Sequence, residues 1–533
     1  MTDQFDYVVV GAGSAGCVLA NRLSADGTTR VALLEAGARD WNPWIHIPVG
    51  YFKTIHNPAT DWCYVTEPDP GLNGRSLKWP RGKVLGGSSS INGLLYVRGQ
   101  HQDYDRWAEL GCSGWSFDEV LPYFRRAENQ SRGEDDYHGT GGPLQVNDMS
   151  FKRPICDDFI RGVAELGTPV NDDINGAVQE GVGYFQLTSH KGRRCSTAVA
   201  YLNGIRSRPN LRIITHAMVR KIGFVDGRAS SVELHRHGRP MSVTAREEVI
   251  LSAGAIGSPQ LLQVSGVGPG SLLQSCGIEV LVDSPEVGEN LQDHLQIRAV
   301  YKTKKPITLN DELKNPLQKA RAGLEYIVNR SGPLSMAASQ VYAFCRTRLA
   351  NERPDIQYHF QPLSADSPGE GLHPFSAITA SVCQLRPESR GSIRIQCADT
   401  DVHPTITANY LSTELDCQTA IEAVRFTRRI MNSSAMKDHI AEELLPDPEA
   451  TSDDQLLDQA RDIANTIYHP TSTCRMGADA RAVVNPRLVV NGVSGLRVVD
   501  ASIMPEIVSG NTNAPTIMIA ERAADMIIED RRK

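Results

Sequence analysis

The chain has 533 residues, of which 41% are hydrophobic and 22% charged, and its formal net charge is -7. This length exceeds one ordinary core, so at least two domains are expected, and the composition excludes a disordered or fibrous protein. The acidic balance disfavours nucleic-acid binding, because surfaces that contact phosphate backbones are basic. No apolar run is long enough to cross a bilayer, and the first residues lack the basic segment of a signal peptide. We therefore expect a cytoplasmic protein, with peripheral attachment at the inner membrane left open.

The eleven cysteines are scattered along the chain, and none forms a Cys-x-x-Cys pair. In a long chain without a secretion signal, such cysteines are more typical of buried, reduced thiols than of disulfides or metal ligands. The sequence therefore predicts neither a disulfide framework nor a metal site.

A strand, a glycine turn, a helix and a second strand follow one another near the start of the chain. Gly11, Gly13 and Gly16 form a Gly-x-Gly-x-x-Gly motif. Such glycines allow a tight turn, a close approach to a pyrophosphate and close packing of helix on strand. Runs of apolar, largely β-branched residues on either side predict buried strands over residues 7–10 and 31–34.

The helix after this turn begins at Ser14 and Ala15. Its first N–H groups and the positive end of its dipole suit phosphate groups. Glu35 and Ala36 follow the second strand, where a carboxylate can accept hydrogen bonds from ribose hydroxyls. The order of these elements predicts a site for an ADP-containing dinucleotide, and it leaves open whether that is NAD or FAD.

A second glycine-rich stretch covers residues 79–93 and includes Gly87, Ser88, Asn92 and Gly93. Small side chains, hydroxyls and exposed backbone N–H groups suit contact with a flat or anionic ligand. A flexible linker is the alternative, but apolar residues resume directly after this stretch. A loop that contacts the ligand is therefore favoured.

Two interleaved domains are expected from the later elements. Helices are predicted over residues 103–128 and 317–328, and alternating runs between residues 356 and 395 predict an antiparallel sheet with one covered face. The predicted fold is an α/β, Rossmann-type dinucleotide-binding domain with an α+β substrate domain that contains this sheet. The first domain is assigned residues 1–150, 208–307 and 458–533, and the second residues 151–207 and 308–457.

Four segments in chain order resemble signatures of the glucose–methanol–choline (GMC) oxidoreductase family. Each segment alone is weak evidence, whereas all four in order identify the chain as a member of that family along its whole length. Within the family it resembles bacterial acceptor-linked alcohol dehydrogenases and choline dehydrogenases. The resemblance implies that the cofactor is FAD rather than NAD. The segments are residues 11–35, 82–92, 254–268, and the C-terminal pieces 468–470, 499–502 and 509–516.

The resemblance also implies which residues contact FAD. Ile91 stands where some members carry a histidine that attaches FAD covalently, so non-covalent FAD is expected. Val219 is similar in position to a valine whose backbone meets adenine. The expected cofactor-binding residues are Gly11, Gly13, Ser14, Ala15, Gly16, Glu35, Ala36, Val84, Gly87, Ser88, Asn92, Gly93, Val219, Ala253, Gly254, Asp500, Ala501 and Asn513.

His469 corresponds to the catalytic base of the family. Taken alone, a packed histidine is an equal alternative, but alcohol oxidation by flavin also calls for such a base. A hydride leaves the carbon for flavin N5 while the hydroxyl proton needs an acceptor with a pKa near neutrality. Asn513 is placed as the second catalytic residue, which orients the substrate oxygen, and Asn511 is the alternative in a shifted register. Residues expected to line the substrate pocket are Tyr468, His294, Gln296 and Asn511, with a structural role for His294 as an equal alternative.

Gln296 bears on the choice of substrate. Choline-specific members carry a glutamate at this position, two residues after the histidine that corresponds to His294, where it faces the substrate cation. A neutral amide lacks that attraction, so an uncharged alcohol is favoured over choline. We expect FAD-dependent oxidation of a primary alcohol or polyol, with electrons passed to a quinone or other non-oxygen acceptor. The alternatives are an oxidase that uses O2, a hydroxynitrile lyase-like protein without net oxidation, and a non-catalytic flavin-binding scaffold.

Overall fold

A seven-stranded sheet built around the glycine turn organises the first part of this computed structural model, which describes residues 3–366 and 371–532. Strand Asp3–Val10 lies at its centre, where Val9 is opposite Leu33 on one side and Ile250 on the other, in parallel pairing. These apolar strands are buried on both faces, as parallel sheets generally are. In spatial order the strands are Leu211–Ile214, Val31–Leu34, Asp3–Val10, Arg239–Leu251, Arg228–Arg236 and Ala217–Val225, and Leu496–Val498 pairs with Arg239–Leu251.

The parallel strands of this sheet end at one common edge. Val10 leads into the glycine turn, Leu34 into Glu35, and Val498 towards Asp500. In open α/β sheets, ligands bind outside the carboxyl ends of the strands. The topology therefore brings segments from distant parts of the sequence to one place.

Two helices pack against each other beside this edge, Ser14–Leu23 and Asn513–Arg531. Glu521 of the second helix is fully buried and accepts hydrogen bonds from Arg22 Nε at 2.9 Å and the Tyr201 hydroxyl at 2.8 Å. A buried carboxylate is stable only with such partners. The contact fixes the position of both helix N-termini relative to the sheet.

The second sheet also has seven strands, and all of its pairs are antiparallel. On one face, Phe360 stacks on Phe159 at 4.1 Å and the Tyr358 hydroxyl is 2.8 Å from the Thr427 hydroxyl. In spatial order the strands are Ile440–Leu445, Leu295–Thr303, Ala377–Gln384, Ile356–Gln361, Val341–Cys345 and Gly181–Tyr184, and Ala464–Thr466 pairs with Leu295–Thr303.

The opposite face of the second sheet carries polar side chains and is buried too. Gln357 and His359 alternate with the apolar residues of strand Ile356–Gln361, and both are buried. The expectation of one covered face was therefore wrong for this strand. The reason is that its polar face lies against a cavity rather than against open solvent, as His359 shows by lining that cavity.

Two strands pair in a different sheet from the one expected for their assigned domain. Strands Leu295–Thr303 and Ala464–Thr466 were assigned to the dinucleotide-binding domain, but both belong to the second sheet. The segments just before and after these strands carry His294 and His469. The chain thus crosses between the two sheets at the residues predicted to be functional.

The helix predicted over residues 103–128 is divided in two. Gly111 and Gly114 adopt φ of +90° and +87°, a conformation that a continuous right-handed helix does not allow. The helices are Ser14–Leu23, Pro43–His46, His101–Glu109, Phe117–Ala127, Pro154–Glu165, Gly254–Val264, Gly270–Ser275, Leu309–Glu312, Pro316–Asn329, Glu414–Met431, Asp453–Ile463 and Asn513–Arg531.

Short strands and the cysteines complete the description. All eleven cysteines are unpaired, and four of them are partly exposed rather than buried. Within the described ranges, no helix has both the length and the apolar character that crossing a bilayer requires. The remaining strands are Tyr64–Val65, Lys78–Trp79, Glu128–Gln130, Leu144–Asp148, Gln186–Leu187, Ser189–His190, Arg193–Arg194, Val267–Gly268, Val282–Asp283, Ser392–Arg394 and Thr405–Thr407.

Candidate active site

A deep cavity is lined by the carboxyl edge of the first sheet and by the polar face of the second. Most residues expected at the site contribute to its lining, although they come from segments that are far apart in sequence. These lining residues are Gly11, Gly13, Ser14, Ala15, Glu35, Ala36, Gly87, Ser88, Asn92, Gly93, Val219, Ala253, Gly254, Gln296, Tyr468, His469, Asp500, Ala501, Asn511 and Asn513.

Three of the residues expected at the site do not belong to the cavity lining that the described residues form. Val84 is buried behind the glycine-rich loop, where it pairs with Ala38 and its carbonyl accepts a hydrogen bond from Gly87 N at 2.7 Å. Gly16 packs against the turn, and His294 lies fully buried behind His469. Each of these three residues supports a residue that lines the cavity, and for His294 this position agrees with the structural alternative.

The glycine turn leaves no room for side chains. A Cβ atom on Gly11, whose φ is +97°, would lie 2.5 Å from the Ser252 carbonyl oxygen, and one on Gly16 would lie 1.9 Å from the Gly11 oxygen. A Cβ on Gly87 would lie 2.6 Å from Gly13 Cα, so the two glycine-rich loops touch backbone to backbone. The first N–H groups of the helix that starts at Ser14 have no partner within the helix. This arrangement forms a cradle of backbone donors at one end of the cavity.

Glu35 is held at the end of its strand by two backbone donors. One carboxylate oxygen accepts from Ala12 N at 3.1 Å and the other from Gly37 N at 2.8 Å. Burial raises the pKa of Glu35 to about 7. Each oxygen keeps a second lone pair, so the carboxylate can accept further hydrogen bonds from a ligand in the cavity.

Asp500 ties the C-terminal segment to the start of a helix. Its carboxylate accepts from Gly254 N at 2.8 Å, from the Ser258 hydroxyl at 2.6 Å and from Ser502 N at 2.8 Å. Burial raises the pKa of Asp500 despite these donors. The bonds place the neighbouring Ala501 at the cavity wall.

His469 is fixed through the carboxylate of Asp293. The His469 backbone N–H donates to Asp293 Oδ1 at 2.7 Å, while the hydroxyls of Tyr410 and Thr466 donate to Oδ2, each at 2.5 Å. Tyr468 has a φ of +69°, which is uncommon for a residue with a side chain. The Asp293 contacts therefore hold a strained loop, and with it the position of the histidine.

The imidazole rings of His294 and His469 form a chain whose proton positions can be derived. His294 Nε2 is 3.0 Å from the Leu385 carbonyl oxygen, which can only accept, so this nitrogen carries the proton. In neutral His294 the Nδ1 atom is then an acceptor, and His469 Nδ1, 3.0 Å away, must donate to it. His469 Nε2 is left with its lone pair on the cavity side.

Burial keeps both rings neutral. It is the main cause that lowers the pKa of His294 to about 4 and the pKa of His469 well below its ordinary value. The nearby His294, His359 and Arg81 lower the pKa of His469 further, because each disfavours a second positive charge. The side chain of His469 is therefore a base with an available lone pair at neutral pH.

Asn511, not Asn513, is the partner of His469. Gln357 Nε2 donates to Asn511 Oδ1 at 3.2 Å, which turns the Asn511 amide nitrogen towards His469 Nε2, also at 3.2 Å. Asn513 begins the helix Asn513–Arg531 and accepts a 2.7 Å hydrogen bond from the Ser14 hydroxyl. The expectation that Asn513 stands beside His469 was therefore wrong by two residues, although Asn513 does line the cavity.

Sequence reasoning missed several residues that line the cavity, among them Arg298, His359 and Tyr51. Arg298 follows Gln296 by two residues on one strand, so both side chains project from the same face. In the run Ile356–Gln361, polar residues at every second position were a similar signal. Both signals identify a polar sheet face, but neither shows from sequence alone that the face meets a ligand.

The fold and site are those of an FAD-dependent oxidoreductase. Family models described as GMC oxidoreductase match residues 5–296 and 387–520. The chain is 44% identical to an alcohol dehydrogenase [acceptor] of Pseudomonas putida, with 98% of this chain and 96% of that protein covered. It is also 44% identical to an oxygen-dependent choline dehydrogenase of Photobacterium profundum, with 99% and 94% covered. The chain belongs to the GMC oxidoreductase family.

Solved structures of other proteins also resemble this chain along its whole length. A pyridoxine 4-oxidase from Mesorbium loti has a TM-score of 0.89 at 33% identity, covering 98% of each chain. A formate oxidase of Aspergillus oryzae, studied for its FAD modification, has a TM-score of 0.92 at 27% identity, covering 99% of each chain.

The residues present fit FAD. The side-chain-free cradle at Gly11, Gly13 and Gly87 can hold the pyrophosphate against a helix N-terminus, where anions bind favourably. Glu35 retains lone pairs for the ribose hydroxyls, and Val219 lines the same part of the cavity. FAD bound there supplies the hydride acceptor for oxidation chemistry.

Proposed function

We propose that the protein oxidises a primary alcohol or polyol to an aldehyde or ketone, with His469 as the base. The observation that carries this proposal is the lone pair of His469 Nε2 on the cavity side, set by the hydrogen bond from His469 Nδ1 to His294. A neutral imidazole can take a hydroxyl proton, although the lowered pKa makes His469 a weaker base than the near-neutral pKa expected from the sequence. The parallel strands around the glycine turn support a Rossmann-type domain for FAD on the opposite side of the cavity.

The chain's own residues have distinct tasks in this proposal. Asn511 Nδ2 now donates to His469 Nε2 at 3.2 Å. An alcohol oxygen placed between these two atoms would donate its proton to His469 and accept from Asn511. Asn511 thereby orients the oxygen without competing for its proton, and its N–H donor would stabilise the developing alkoxide.

The decisive experiment is anaerobic mixing of the holoenzyme with a panel of alcohols while the flavin absorbance is followed. Bleaching of the flavin by an alcohol supports oxidation. An absence of bleaching with every alcohol would contradict it and would favour the lyase-like or scaffold alternatives, because neither of these reduces the flavin.

We infer that electrons pass to a quinone or another non-oxygen acceptor. The similarity to an alcohol dehydrogenase [acceptor] favours this choice, whereas the structural likeness to oxidases keeps O2 as the second candidate. Peroxide yield with and without an artificial dye acceptor separates the two. Stoichiometric peroxide at comparable rates would overturn the dehydrogenase assignment.

We also propose that FAD is held without a covalent bond. Ile91 lines the cavity at the position where some members attach the cofactor, and its side chain offers no nucleophile. Denaturation with acid should therefore release the yellow chromophore into the supernatant. Chromophore that remains with the precipitated chain would show covalent attachment.

A peripheral position at the cytoplasmic face of the inner membrane is supported by helix Pro316–Asn329. The side of this helix that faces the rest of the protein is buried through Ala322 and Tyr326. The exposed apolar residues of this helix form one stripe along it. Residues 314–330 also carry four exposed cations and one acid, a charge balance that suits anionic lipids. The stripe consists of Leu317, Leu324, Ile327 and Val328, which are 81%, 63%, 69% and 67% exposed.

A further inference from the structure

Arg298 is a buried cation that faces the cavity, and it has no acidic partner in the part of the chain that the structure describes. It lines the cavity, is only 6% exposed, and makes one weak hydrogen bond, from a guanidinium nitrogen to the Ala365 carbonyl at 3.4 Å. Among residues 3–366 and 371–532, no carboxylate lies within ion-pair distance of Arg298. A charge removed from water without an opposite charge is costly, so such a site is stabilised by an anion from outside the chain.

Charges in the cavity are divided between its two ends. Glu35 and Asp500 line the part formed by the first sheet, and both are already bound by backbone N–H groups. Arg81 lines the cavity near His469, where its guanidinium donates to the Tyr468 carbonyl and has Asp293 nearby as an opposite charge. Arg298 has no such neighbour. The unbalanced charge of the substrate end is therefore positive and is centred on Arg298.

The sheet face around Arg298 carries buried polar atoms that have no partner. Arg298 is directly opposite Ser381, and Ser381 is directly opposite His359 on the next strand. Residues opposite each other in antiparallel strands share a face, so the three side chains form one row. Ser381 Oγ and His359 Nδ1 are both buried without a hydrogen-bond partner. Such atoms are rare in folded proteins and indicate a missing ligand or water.

The unpartnered nitrogen of His359 is a donor. Gln357 Nε2 donates to the other ring nitrogen, His359 Nε2, at 3.2 Å, so in the neutral ring the proton sits on Nδ1. Burial lowers the pKa of His359 to about 3, which keeps the ring neutral. The two members of the row that line the cavity, Arg298 and His359, thus offer a guanidinium and an N–H. These are the donors that bind an oxyanion through charge-assisted hydrogen bonds.

We propose that the substrate is an alcohol that carries an oxyanion, a carboxylate or a phosphate, and that this anion binds Arg298 and His359, the two members of the row that line the cavity. The inference rests on the proposed alcohol oxidation and names the substrate class. Gln296 and Arg298 follow His294 along the same strand face, and the Cα atoms of His294 and Arg298 are about 13 Å apart at 3.3 Å per residue. The hydroxyl at His469 and the anion at Arg298 therefore belong to opposite ends of an extended molecule.

The first test compares alcohols that differ only in charge. ω-Hydroxy acids of increasing length are mixed anaerobically with the holoenzyme beside their methyl esters, and the monophosphates of the matching diols form a separate arm. The acid or the phosphate should half-saturate flavin reduction at a concentration about tenfold lower than the neutral compound, as one charge-assisted hydrogen bond provides. The series with the larger effect, hydroxy acids or diol monophosphates, identifies whether the substrate carries a carboxylate or a phosphate. Equal half-saturation by charged and neutral alcohols would overturn the proposal.

Variants locate the effect. Arg298→Met should remove the preference for the anionic alcohol, and Arg298→Lys should keep part of it. Lys302→Met is the matched control, because Lys302 lies on the same strand but is exposed, so its charge cannot act within the cavity. A preference that survives Arg298→Met would contradict the assignment.

A binding measurement separates this inference from the proposed function. Alkanoates and alkyl phosphates lack a hydroxyl, so they test the anion site by calorimetry on the holoenzyme without turnover. Binding to the wild-type protein that is lost in Arg298→Met supports the anion site, even if no alcohol reduces the flavin. The absence of binding, together with active oxidation of neutral alcohols, would refute the anion site and leave the proposed alcohol oxidation standing.

Discussion

His294 and His469 face each other through their Nδ1 atoms at 3.0 Å. Only one of two such nitrogens can carry a proton in this contact, and the Leu385 carbonyl decides that it belongs to His469. Protonation of His294 at Nδ1 would break this bond, whereas protonation of His469 at Nε2 would keep it, and either event would place positive charge in a buried site. The two rings therefore act as one neutral unit whose free end is His469 Nε2.

This pairing predicts how flavin reduction depends on pH. The base works in its neutral form, and its pKa is lowered well below the ordinary value. Protonation therefore begins only in acid, and the rate should stay constant as pH falls through about 6.5, the ordinary pKa of histidine. Anaerobic stopped-flow reduction at saturating alcohol measures this profile. A loss of rate that is complete above that pH would show that the base is protonated more easily than the structure indicates.

His469→Ala should lower the rate of flavin reduction by about 10²–10⁴-fold, the range typical of a general base. FAD content should be unchanged, because the glycine cradle and Glu35, which are expected to bind FAD, line the other end of the cavity. His439→Ala serves as a control at a partly exposed histidine outside the cavity. An unaltered rate in His469→Ala would favour the non-catalytic scaffold.

Asn511 and Asn513 offer a matched pair of substitutions. Asn511→Ala should slow reduction while FAD stays bound, because the amide that orients the alcohol oxygen is lost. Asn513→Ala should weaken retention of FAD more than it slows reduction, because it removes the bond to Ser14 at the cradle. Stopped-flow rates and FAD dissociation are measured for both. If Asn513→Ala slowed reduction and Asn511→Ala weakened FAD retention, Asn513 rather than Asn511 would be the partner of His469.

Glu35→Gln should weaken FAD binding by about tenfold or more. The amide nitrogen of the variant would face one of the backbone donors, Ala12 N or Gly37 N, and an unpaired buried donor costs about 1–3 kcal/mol. The raised pKa of about 7 means that the wild-type carboxylate loses its charge as pH falls through that value. Titration of the apoprotein with FAD should show affinity that declines below about pH 7 in the wild type but not in the variant. A wild-type affinity independent of pH would argue against a ribose contact by the ionised carboxylate.

Substitution on helix Pro316–Asn329 tests membrane attachment. Leu324→Glu and Ile327→Glu should reduce co-sedimentation with vesicles that contain anionic lipid, and added salt should weaken the binding of the wild type. The reduction rate by a soluble alcohol should not change. Leu415→Glu is the control, since Leu415 is an exposed leucine of another helix, Glu414–Met431. Equal sedimentation of all three variants would exclude this stripe as the attachment site.

Local signals predicted much of the fold. The strands expected at 7–10 and 31–34 lie within Asp3–Val10 and Val31–Leu34, and the long helix at 317–328 is Pro316–Asn329. These elements follow from hydrophobic patterning and turn residues over a few positions, which sequence displays directly. The glycine turn was predictable for the same reason, since Gly11, Gly13 and Gly16 lie within six consecutive residues.

The rest depended on contacts between distant segments. Asn511 precedes the last helix and Asn513 begins it, and only the packing of that helix decides which one meets His469 and which meets Ser14. Arg298 gave no motif, because its meaning lies in the absence of an acid nearby in space. The sequence did not indicate that the strands beside His294 and His469 join the second sheet, because the chain passes from one sheet to the other there without a change in composition.

The bond between the Ser14 hydroxyl and Asn513 joins residues 499 positions apart. A ribosome that adds residues one at a time will have released the glycine turn long before it makes the asparagine that faces it. The nascent polypeptide therefore lacks the Ser14–Asn513 contact until translation is nearly complete. We expect flavin loading to follow synthesis, so cells starved of riboflavin should accumulate a full-length, colourless precursor that turns yellow when the vitamin is restored.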